Sequence, residues 1–590
     1  MHSTMQEIPL SVARILEYGR TVHSETTIKT AHSANKRTFN SENSQDFESE
    51  LTIETTTFGQ LGARTAALAH VFDQDLRVHA DSRVATFMYN CSEHMEIFFA
   101  AACKGAIFHP LNIQLSDDQL IFIINHAQNN VIFCDPRLAT RLARIVRHCA
   151  CVKDIIFTTG YIHQGFFPTR VQLHQYEELL SGRPTTYSWP ELNENTAAAL
   201  CYTTGTTGEP KGVLYSHRAL YLHSMSLCAR DSFALGEGRG FLCGAPIYHV
   251  LSWGVPLAAF MAGSPLVFAN EEFHSAHMAE LIAATSPLLA HGAPSLWIDL
   301  FQHYVDNPPA QMSLEEIFVG GAAAPAALMH QWDEAFGVDI IHLWGMTETG
   351  PVGTVSRPPA EVQGEQRWQY RISQGRFSAG VEYRVVTDGK VVTGTDRHHG
   401  EIHVRGPWTT GAYYAGANRD PRDEQSQSVE LFTEDGWLRT GDVGTVTSDG
   451  FLTVNDRIRD VIHSGGEWIY SVPLENLIMA NELVLECAVI GHPDPTWGER
   501  PLAVVRLIDH VEEKQQEIAE ILASHLLEVF PEWMVPEYWT FVKLIDKTSV
   551  NKFDKIDLRA HDAKGHFSII NLNEVKAARQ AALDADLHRD

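Results

Sequence analysis

The sequence predicts an α/β protein. We expect a large N-terminal domain of doubly wound α/β subdomains with a small β-rich subdomain, followed by a smaller α+β C-terminal domain. Three observations predict this architecture. Helical and strand patterns alternate from about residue 57. Two Asp-Gly pairs, at residues 388–389 and 449–450, each separate two runs of alternating apolar residues. Beyond residue 460 a glycine pair, a short apolar run and a long helical stretch indicate a separate unit of domain size.

The N-terminal part begins with a predicted peripheral hairpin and continues as alternating helices and strands. The hairpin is predicted from two alternating stretches, TTIKTAH and ELTIETTTF. After it, FGQLGARTAALAHVF has helical periodicity, RVATFMYN is typical of a strand and HMEIFFAAACKGA of a helix. The pattern continues in QLIFIINHAQ and NVIFCD. Such alternation favours parallel strands with helices packed on the sheet.

Residues 241–270 contain no Asp, Glu, Lys or Arg, and by length alone this segment would span a bilayer. Glycine and proline interrupt it at three places, around Gly244, Gly254 and Gly263. We therefore expect short buried segments of an α/β core and no transmembrane segment.

The later part of the chain changes from α/β alternation to hairpins and then to mixed elements. Because Asp-Gly between alternating runs is a strong hairpin signal, a β-rich subdomain is expected at about residues 376–455. The next unit contains the strand-like ECAVIG and the helical EEKQQEIAEILASHLLEVF. The last stretch, NEVKAARQAALDADLHRD, is rich in alanine but has few apolar anchors, so residues 566–590 are predicted to form a peripheral helix or a frayed tail.

Composition and charge argue against several classes of function. The formal net charge of −28, without any run of basic residues, argues against binding to nucleic acid. Nine cysteines without a disulfide-like spacing indicate a reducing compartment. Cys149 and Cys151 are interpreted as buried thiols, because no second Cys/His pair completes a metal site. With no signal peptide, peroxisomal signal or lipidation box, the sequence predicts a cytoplasmic protein.

The stretch from Thr203 to Gly212, TTGTTGEPKG, contains the residue types that bind a phosphate chain. Its glycines let backbone N–H groups converge, its threonines add donors and Lys211 adds positive charge. It is not a Walker A loop, because Pro210 stands where that motif has glycine. From these residues alone, a phosphate-binding loop and an ordinary surface turn are equally good interpretations.

Four further motifs follow this loop in the chain. They are HLWGMTET at 342–349, LRTGDVG at 438–444, DRIRD at 456–460 with SGGEWI after it, and KTSVNKFDK at 547–555. This ordered series resembles the motifs of the adenylate-forming superfamily, which contains acyl-CoA synthetases, luciferases and peptide-synthetase adenylation domains. The resemblance covers most of residues 50–560. Stretches such as AVIGHPDPTWGERPLAVV are most similar to medium- and long-chain fatty-acid–CoA ligases.

The resemblance implies a two-step reaction. A carboxylate attacks the α-phosphate of ATP and releases pyrophosphate, and the acyl adenylate then transfers its acyl group to the thiol of coenzyme A (CoA). Attack on a polyanion requires charge neutralisation, so Mg²⁺ and fixed donors are implied. Glu348 is implied to hold Mg²⁺ and to be catalytic together with Thr347, His249 and Lys552. The implied ATP- or AMP-binding residues are Thr203, Thr204, Gly205, Thr206, Thr207, Gly208, Lys211, Gly321, Ala322, Ala323, Leu343, Trp344, Gly345, Met346, Thr347, Asp442 and Arg457.

The resemblance also implies a domain 1–456, a hinge 457–460 and a mobile domain 461–565. In the family, the lysine matching Lys552 reaches the site from the mobile domain, which then rotates about a hinge where this chain has Arg459. Gly465, Gly466, Glu467 and Trp468 are implied to line a tunnel for CoA. Asn551 replaces the glycine that usually precedes the lysine. Because Asn tolerates positive φ, adenylation is expected to be retained at a lower rate.

The acyl pocket is expected at Tyr248, His249 and Trp253, where PIYHV resembles a segment of fatty-acid and aryl-acid ligases. Residues 241–270 offer no carboxylate to pair with a substrate ammonium group, which disfavours amino acids as substrates. Leu257, Phe260 and Met261 are expected to extend an apolar wall, although such residues are equally typical of a core.

Three functions remain open from the sequence. The first is a fatty-acid–CoA ligase, with an aryl-acid–CoA ligase as its variant. The second is a ligase that loads a separate acyl carrier protein. The third is a nucleotide-binding protein without activity, which the presence of Glu348, Asp442 and Lys552 disfavours. The expected partners are ATP, a carboxylic acid and CoA, with no nucleic acid, and a homodimer is left open.

Overall fold

The computed structural model describes residues 3–35, 49–160, 164–203, 209–271, 274–393, 398–417, 431–508, 514–547 and 553–577. The fold is α/β, with a large N-terminal domain and a smaller C-terminal domain, which confirms the predicted fold class. The helices are α1 Val12–Val22, α2 Phe58–Gln74, α3 Ser92–Lys104, α4 Asp117–Ala127, α5 Ala139–Val146, α6 Tyr176–Leu180, α7 His217–Cys228, α8 Val255–Ala262, α9 Ser275–Thr285, α10 Pro294–Asp306, α11 Ala326–Phe336, α12 Gly364–Arg371, α13 Ser471–Met479, α14 Gln515–Leu527 and α15 Lys555–Ala563.

The first nine strands of the chain are divided between two of the three described sheets. The described strands there are β1 Thr27–Asn35, β2 Ser49–Thr57, β3 Arg83–Phe87, β4 Ile107–Pro110, β5 Val131–Cys134, β6 Asp154–Phe157, β7 Gln172–Gln175, β8 Ala197–Thr203 and β9 Lys211–Ser216. Strands β3–β9 form one sheet in the order β7-β6-β5-β3-β4-β8-β9. All its neighbours are parallel except β8 and β9, whose register pairs Thr203 with Lys211. The predicted phosphate loop therefore connects an antiparallel pair at the sheet edge.

The second sheet joins the predicted α/β and β-rich parts of the large domain. Its further strands are β10 Phe241–Cys243, β11 Leu266–Phe268, β12 Leu289–Gly292, β13 Glu316–Val319, β14 Asp339–Gly345, β15 Val352–Val355, β16 Gly375–Phe377, β17 Glu382–Thr387, β18 Lys390–Val391, β19 His398–Arg405, β20 Leu438–Val446 and β21 Phe451–Arg457. The order is β18-β17-β19-β20-β21-β16-β15-β14-β13-β12-β10-β11-β1-β2. Strands β10–β14 are parallel to their neighbours in this core, and from β15 onward the pairing is antiparallel. The predicted hairpin β1–β2 forms one edge.

Local sequence signals account for several of these boundaries. A capping box between Thr57 and Gln60 begins α2. Asp388 and Gly389 both have positive φ in the turn between β17 and β18, as the Asp-Gly signal predicts. The apolar segment 241–270 divides into β10, α8 and β11, whose residues are largely buried, as predicted. No helix in the described part of the chain combines the length and the apolar character that crossing a membrane requires.

The C-terminal domain has its own sheet and core. Its strands are β22 Ile462–Ser464, β23 Glu467–Ile469, β24 Val484–Asp494, β25 Gly498–Leu507, β26 Tyr538–Phe541 and β27 Ile570–Asn571. The predicted strand ECAVIG lies in β24, and the predicted helix corresponds to α14. Helices α13 and α14 pack on this sheet around the fully buried Trp539.

Candidate active site

A cavity of about 860 Å³ lies where the carboxyl ends of β13 and β14 meet residues of the C-terminal domain. Ligands of open α/β sheets commonly bind at this edge, because the loops that leave parallel strands converge there. The predicted site residues that line the cavity are Thr203, Lys211, Tyr248, His249, Trp253, Gly321, Ala322, Ala323, Leu343, Trp344, Gly345, Met346, Thr347, Glu348, Asp442, Arg457 and Arg459. Thr204, Gly205, Thr206, Thr207, Gly208, Asn551 and Lys552 lie outside the described residues.

Asp442 is held by two partners inside the large domain. It is buried on β20, with 4% of the residue exposed. The indole Nε1–H of Trp344 donates to one carboxylate oxygen at 2.7 Å, and Nε of Arg457 lies 3.2 Å from the other. Arg457 is the register partner of Asp442 on β21. The sheet pairing therefore fixes this carboxylate and cation together at the cavity wall.

Glu348 has a partner that the sequence motifs did not indicate. The hydroxyl of Tyr413 donates to Oε1 of Glu348 at 2.5 Å, and Nζ of Lys211 lies 5.1 Å from the centroid of the Tyr413 ring. Burial and the charge of Glu348 raise the pKa of Tyr413 well above its ordinary value, so the phenol remains a donor. The hydroxyl of Tyr215 donates to the carbonyl oxygen of Thr347. These two tyrosines fix the Thr347–Glu348 pair.

Part of the cavity lining is apolar and has a strained backbone. Tyr248, Val250 and Trp253 contribute to it. Successive φ values of 36°, 52°, 54° and 55° place Val250, Leu251, Ser252 and Trp253 in the left-handed region, followed by Gly254 at 79°. For non-glycine residues this conformation costs roughly 1–2 kcal/mol each. Such strain persists only where the surrounding contacts hold it.

Two expectations about this wall need correction. Leu257, Phe260 and Met261 do not line the cavity. Leu257 and Phe260 are buried in the hydrophobic core, where the ring centroids of Phe260 and Phe58 lie 3.8 Å apart, and Met261 packs against that core. Acidic residues from outside 241–270 also line the cavity, and Glu271 and Asp299 are among them. Glu271 pairs with His277 at 3.0 Å, and burial raises the pKa of Asp299. The acid-free segment alone therefore does not describe the electrostatics of the cavity.

The C-terminal domain also contributes to the cavity lining, with Lys547, Phe553 and Lys555 among its residues. Lys547 and Phe553 form an isolated β-bridge and are the described residues that flank the segment containing Lys552. By contrast, Gly466, Glu467 and Trp468 line a second cavity of about 690 Å³ together with residues of β17 and β19. Gly465 lies against Trp497. The residues proposed for the CoA tunnel thus face a different cavity in this arrangement of the domains.

Lys555 is the centre of a buried polar network that the sequence did not indicate. Its Nζ donates to Oγ of Ser471 at 2.6 Å and pairs with Glu475 at 2.6 Å. The same Ser471 donates through N–H and Oγ to Asp456, which lies just before the hinge. Burial would lower the pKa of Lys555, but the charges of Glu475 and Asp456 raise it, so the ammonium form persists. No sequence pattern distinguishes Lys555 from an exposed helix-terminal lysine.

Comparison with known proteins decides the family. The family model described as AMP-binding enzyme matches residues 35–414, and the one described as AMP-binding enzyme C-terminal domain matches residues 473–552. The chain belongs to the AMP-binding enzyme family. It is 33% identical to a 3-methylmercaptopropionyl-CoA ligase of Ruegeria lacuscaerulensis over 95% of this chain and 98% of that protein. It is 34% identical to a medium-chain-fatty-acid–CoA ligase of Ectopseudomonas oleovorans over 81% of this chain and 85% of that protein.

The fold agrees with solved structures of the family. The crystal structure of the anthranilate CoA ligase AuaEII with anthranoyl-AMP aligns with a TM-score of 0.79 at 21% identity, covering 96% of this chain and all of that one. The predicted resemblance is therefore confirmed. The protein is an enzyme of the acid–thiol ligase class, in a family that uses ATP with CoA as co-substrate.

Proposed function

We propose that the enzyme joins an aliphatic carboxylic acid of medium or shorter chain length to CoA, through an acyl adenylate formed from ATP. The observation that carries this proposal is one cavity with two kinds of wall. One wall presents Glu348, Asp442 and Arg457, and the other presents Tyr248, Val250 and Trp253. Such a cavity suits a molecule that is charged at one end and apolar at the other.

Each residue on the nucleotide wall has a proposed task. Asp442 accepts hydrogen bonds from the ribose hydroxyls, as carboxylates do at many nucleotide sites. Arg457 lies beside it and contacts ribose or phosphate. Lys211 and the loop before it hold the phosphates that leave as pyrophosphate. Lys552 contacts the attacking carboxylate and the α-phosphate, where a positioned cation stabilises the charge of the transition state.

The residues around Glu348 fit a magnesium ion. Mg²⁺ prefers oxygen ligands and usually takes one or two carboxylates together with substrate phosphates and water. Glu348 supplies one carboxylate in the cavity wall, with Tyr413 donating to one of its two oxygens. A bound Mg²⁺ neutralises charge on the nucleotide phosphates. Tyr413 orients the Glu348 carboxylate for this role.

The apolar wall favours a short or medium acyl chain. Leu257 and Phe260, which follow Trp253, are packed in the core and do not line the cavity, whereas Trp253 does. Relatives named for 3-methylmercaptopropionate and for medium-chain fatty acids support the same range, whereas a relative named for long-chain fatty acids, also 33% identical, supports longer chains and makes chain length the point to test. Long-chain acids are expected to be poorer substrates, because the chain would have to displace packed core residues.

The test is a pyrophosphate-release assay of the purified protein with ATP, Mg²⁺ and a panel of acids, with and without CoA. The panel contains 3-methylmercaptopropionate, saturated acids of increasing length, benzoate and cinnamate. Medium or shorter aliphatic acids should give the highest kcat/KM, with CoA consumed in equal amount to pyrophosphate. The isosteric variant Asp442→Asn should raise the KM for ATP about tenfold.

Three results would contradict parts of the proposal. Preference for benzoate or cinnamate would contradict the aliphatic assignment. Adenylate formation without CoA consumption would indicate a carrier protein as acceptor. No pyrophosphate release with any acid would exclude ligase activity on the acids of the panel.

A further inference from the structure

We propose that His291 is a positioning residue for acyl-chain selection, because its single imidazole joins both ends of the segment 245–252, which runs into the left-handed turn at 250–253. This inference deepens the proposed function and rests on it. The segment contains His249 and is followed directly by Trp253, and both residues line the main cavity. His291 itself does not line the cavity and is fully buried on β12.

The hydrogen bonds of His291 define its tautomer. The backbone N–H of Ala245 donates to Nδ1 at 3.1 Å, so Nδ1 carries no proton. Nε2 then carries the proton and donates to the carbonyl oxygen of Ser252 at 3.0 Å. One ring therefore contacts the start of the segment, where β10 ends, and the left-handed turn at its other end.

Two other side chains, those of Ser252 and Asn90, also form hydrogen bonds with the backbone of this segment. Oγ of Ser252 donates to the carbonyl oxygen of Ala245 at 2.8 Å. Nδ2 of Asn90 donates to that oxygen at 3.0 Å, while its Oδ1 accepts from the N–H of Ile247 at 2.8 Å. Because consecutive non-glycine residues in the left-handed region are strained, the conformation of the turn depends on such contacts.

The ring of His291 also supports the end of the acyl wall directly. Its centroid lies 4.8 Å from that of Trp253 and 5.1 Å from that of Phe241. Burial lowers the pKa of His291 to about 4, so the neutral ring keeps its acceptor for Ala245 at ordinary assay pH. Loss of the ring removes both tethers and the contact with Trp253 together.

Loss of His291 should alter the binding of the carboxylic acid substrate and leave the binding of ATP unchanged. Without His291 the turn can relax, Trp253 loses its fixed position, and the pocket accepts a wider range of chain lengths with weaker binding. The nucleotide wall should be unaffected, because Asp442 and Arg457 are held by β20 and β21.

The experiment compares kinetics of the full-length wild type with His291→Ala and His291→Asn. Asn retains a side-chain acceptor for Ala245 but is too short to reach Ser252. We expect the KM for the preferred acid to rise about tenfold in His291→Ala and less in His291→Asn, with the KM for ATP within twofold of wild type. The preference among saturated acids should also broaden toward longer chains, more in His291→Ala than in His291→Asn.

His109→Ala is the matched control. His109 is also buried, is hydrogen-bonded to Asn129 at 3.1 Å, and does not line the cavity. It should lower thermal stability without changing the KM for the acid.

Two results would overturn the inference. One is an unchanged KM for the acid in both His291 variants, and the other is an equal rise in the KM for ATP. If His291→Ala does not fold, His291→Asn decides by the same two measurements. A wild type that turns over no acid would refute the proposed function itself, whereas an active wild type with insensitive variants would refute only the role of His291.

Discussion

The two sides of the main cavity are held in place in different ways. On the large-domain side, Asp442 and Arg457 are register partners in one continuous sheet, and Glu348 is fixed by Tyr413. On the C-terminal side, the lining residues belong to a unit with a separate sheet and core, which follows the predicted hinge. Polar contacts of Asp456 with Ser471 and of Asp460 with Arg559 lie at that junction.

The large-domain side is therefore suited to binding the nucleotide, whereas the C-terminal side positions groups that depend on the arrangement of the two domains. The groups proposed to bind the nucleotide on the large-domain side depend only on the fold of that domain. The position of the C-terminal groups depends on a few polar contacts beside the hinge. Changes on the first side should therefore alter the KM for ATP or Mg²⁺, and changes on the second should alter one half-reaction or the stability of the small domain.

Acidification should lower the folding stability of the large domain more than that of the C-terminal domain, and this is the largest difference that we expect between them. Burial lowers the pKa of several large-domain histidines to about 3 or 4, namely His94, His109, His217, His223, His291 and His342. The unfolded chain binds these protons below about pH 6.5 and the folded chain does not, so stability falls as pH falls from 7.5 to 5.5. Each histidine contributes about 1.4 kcal/mol in total between pH 7.5 and 5.5, because the unfolded chain takes up most of that proton only below pH 6.5.

Hydrogen exchange at pH 7.5 and 5.5, corrected for intrinsic rates, measures this effect by domain. Protection in β3–β14 should fall by several kcal/mol, and protection in β24 and β25 should fall less. Glu96 acts in the opposite direction, because burial raises its pKa to about 7 and its protonation on acidification favours the folded state. Equal loss in both domains would remove the proposed contrast.

Lys555→Ala should strongly destabilise the C-terminal domain. The change leaves Glu475 buried without its cation, and removal of one partner of a buried ion pair costs about 3–5 kcal/mol. Urea unfolding followed by a probe in the small domain measures the loss. Lys564→Ala, at an exposed lysine just after α15, is the control and should be nearly neutral. A loss equal to that of the control would show that the network around Lys555 does not stabilise the domain.

Lys552→Ala should abolish adenylation while sparing the second step. Loss of a positioned group that stabilises transition-state charge commonly lowers kcat by a factor of about 10²–10³. Single-turnover pyrophosphate release measures the first step, and thioester formation from a synthetic acyl adenylate measures the second. Equal loss in both half-reactions would contradict the role assigned to Lys552.

Tyr413→Phe should have the smallest effect. It removes one hydrogen bond to a buried carboxylate, a change of about 1.5–3 kcal/mol when the acceptor is charged and less when metal binding compensates. We expect the Mg²⁺ concentration for half-maximal activity to rise about threefold to tenfold. The control variant is Tyr414→Phe, at the next residue in the chain, and it should leave the Mg²⁺ concentration for half-maximal activity unchanged. A similar shift in both variants would indicate a general disturbance of the loop.

Much of the architecture follows from local patterns in the sequence. The alternation of helices and strands, the Asp-Gly turn at residues 388–389 and the capped start of α2 depend on residues close together in the chain. The ordered motifs likewise led to the residues of the cavity lining that carry charge and chemistry, such as Glu348, Asp442 and Arg457. The roles of Tyr413, His291 and Lys555 did not follow, because each acts through a partner between 39 and 84 residues away in the chain.

The sequence by itself determined the family, the fold class and the positions of the nucleotide-binding motifs. These are properties of residue order and local periodicity. Only the tertiary structure decided where the apolar wall ends and which side chains hold the site. Leu257 and Phe260 look like pocket residues in the sequence, but packing places them in the core. Likewise, the left-handed turn before Gly254 is stable only because buried polar side chains from distant elements converge on it.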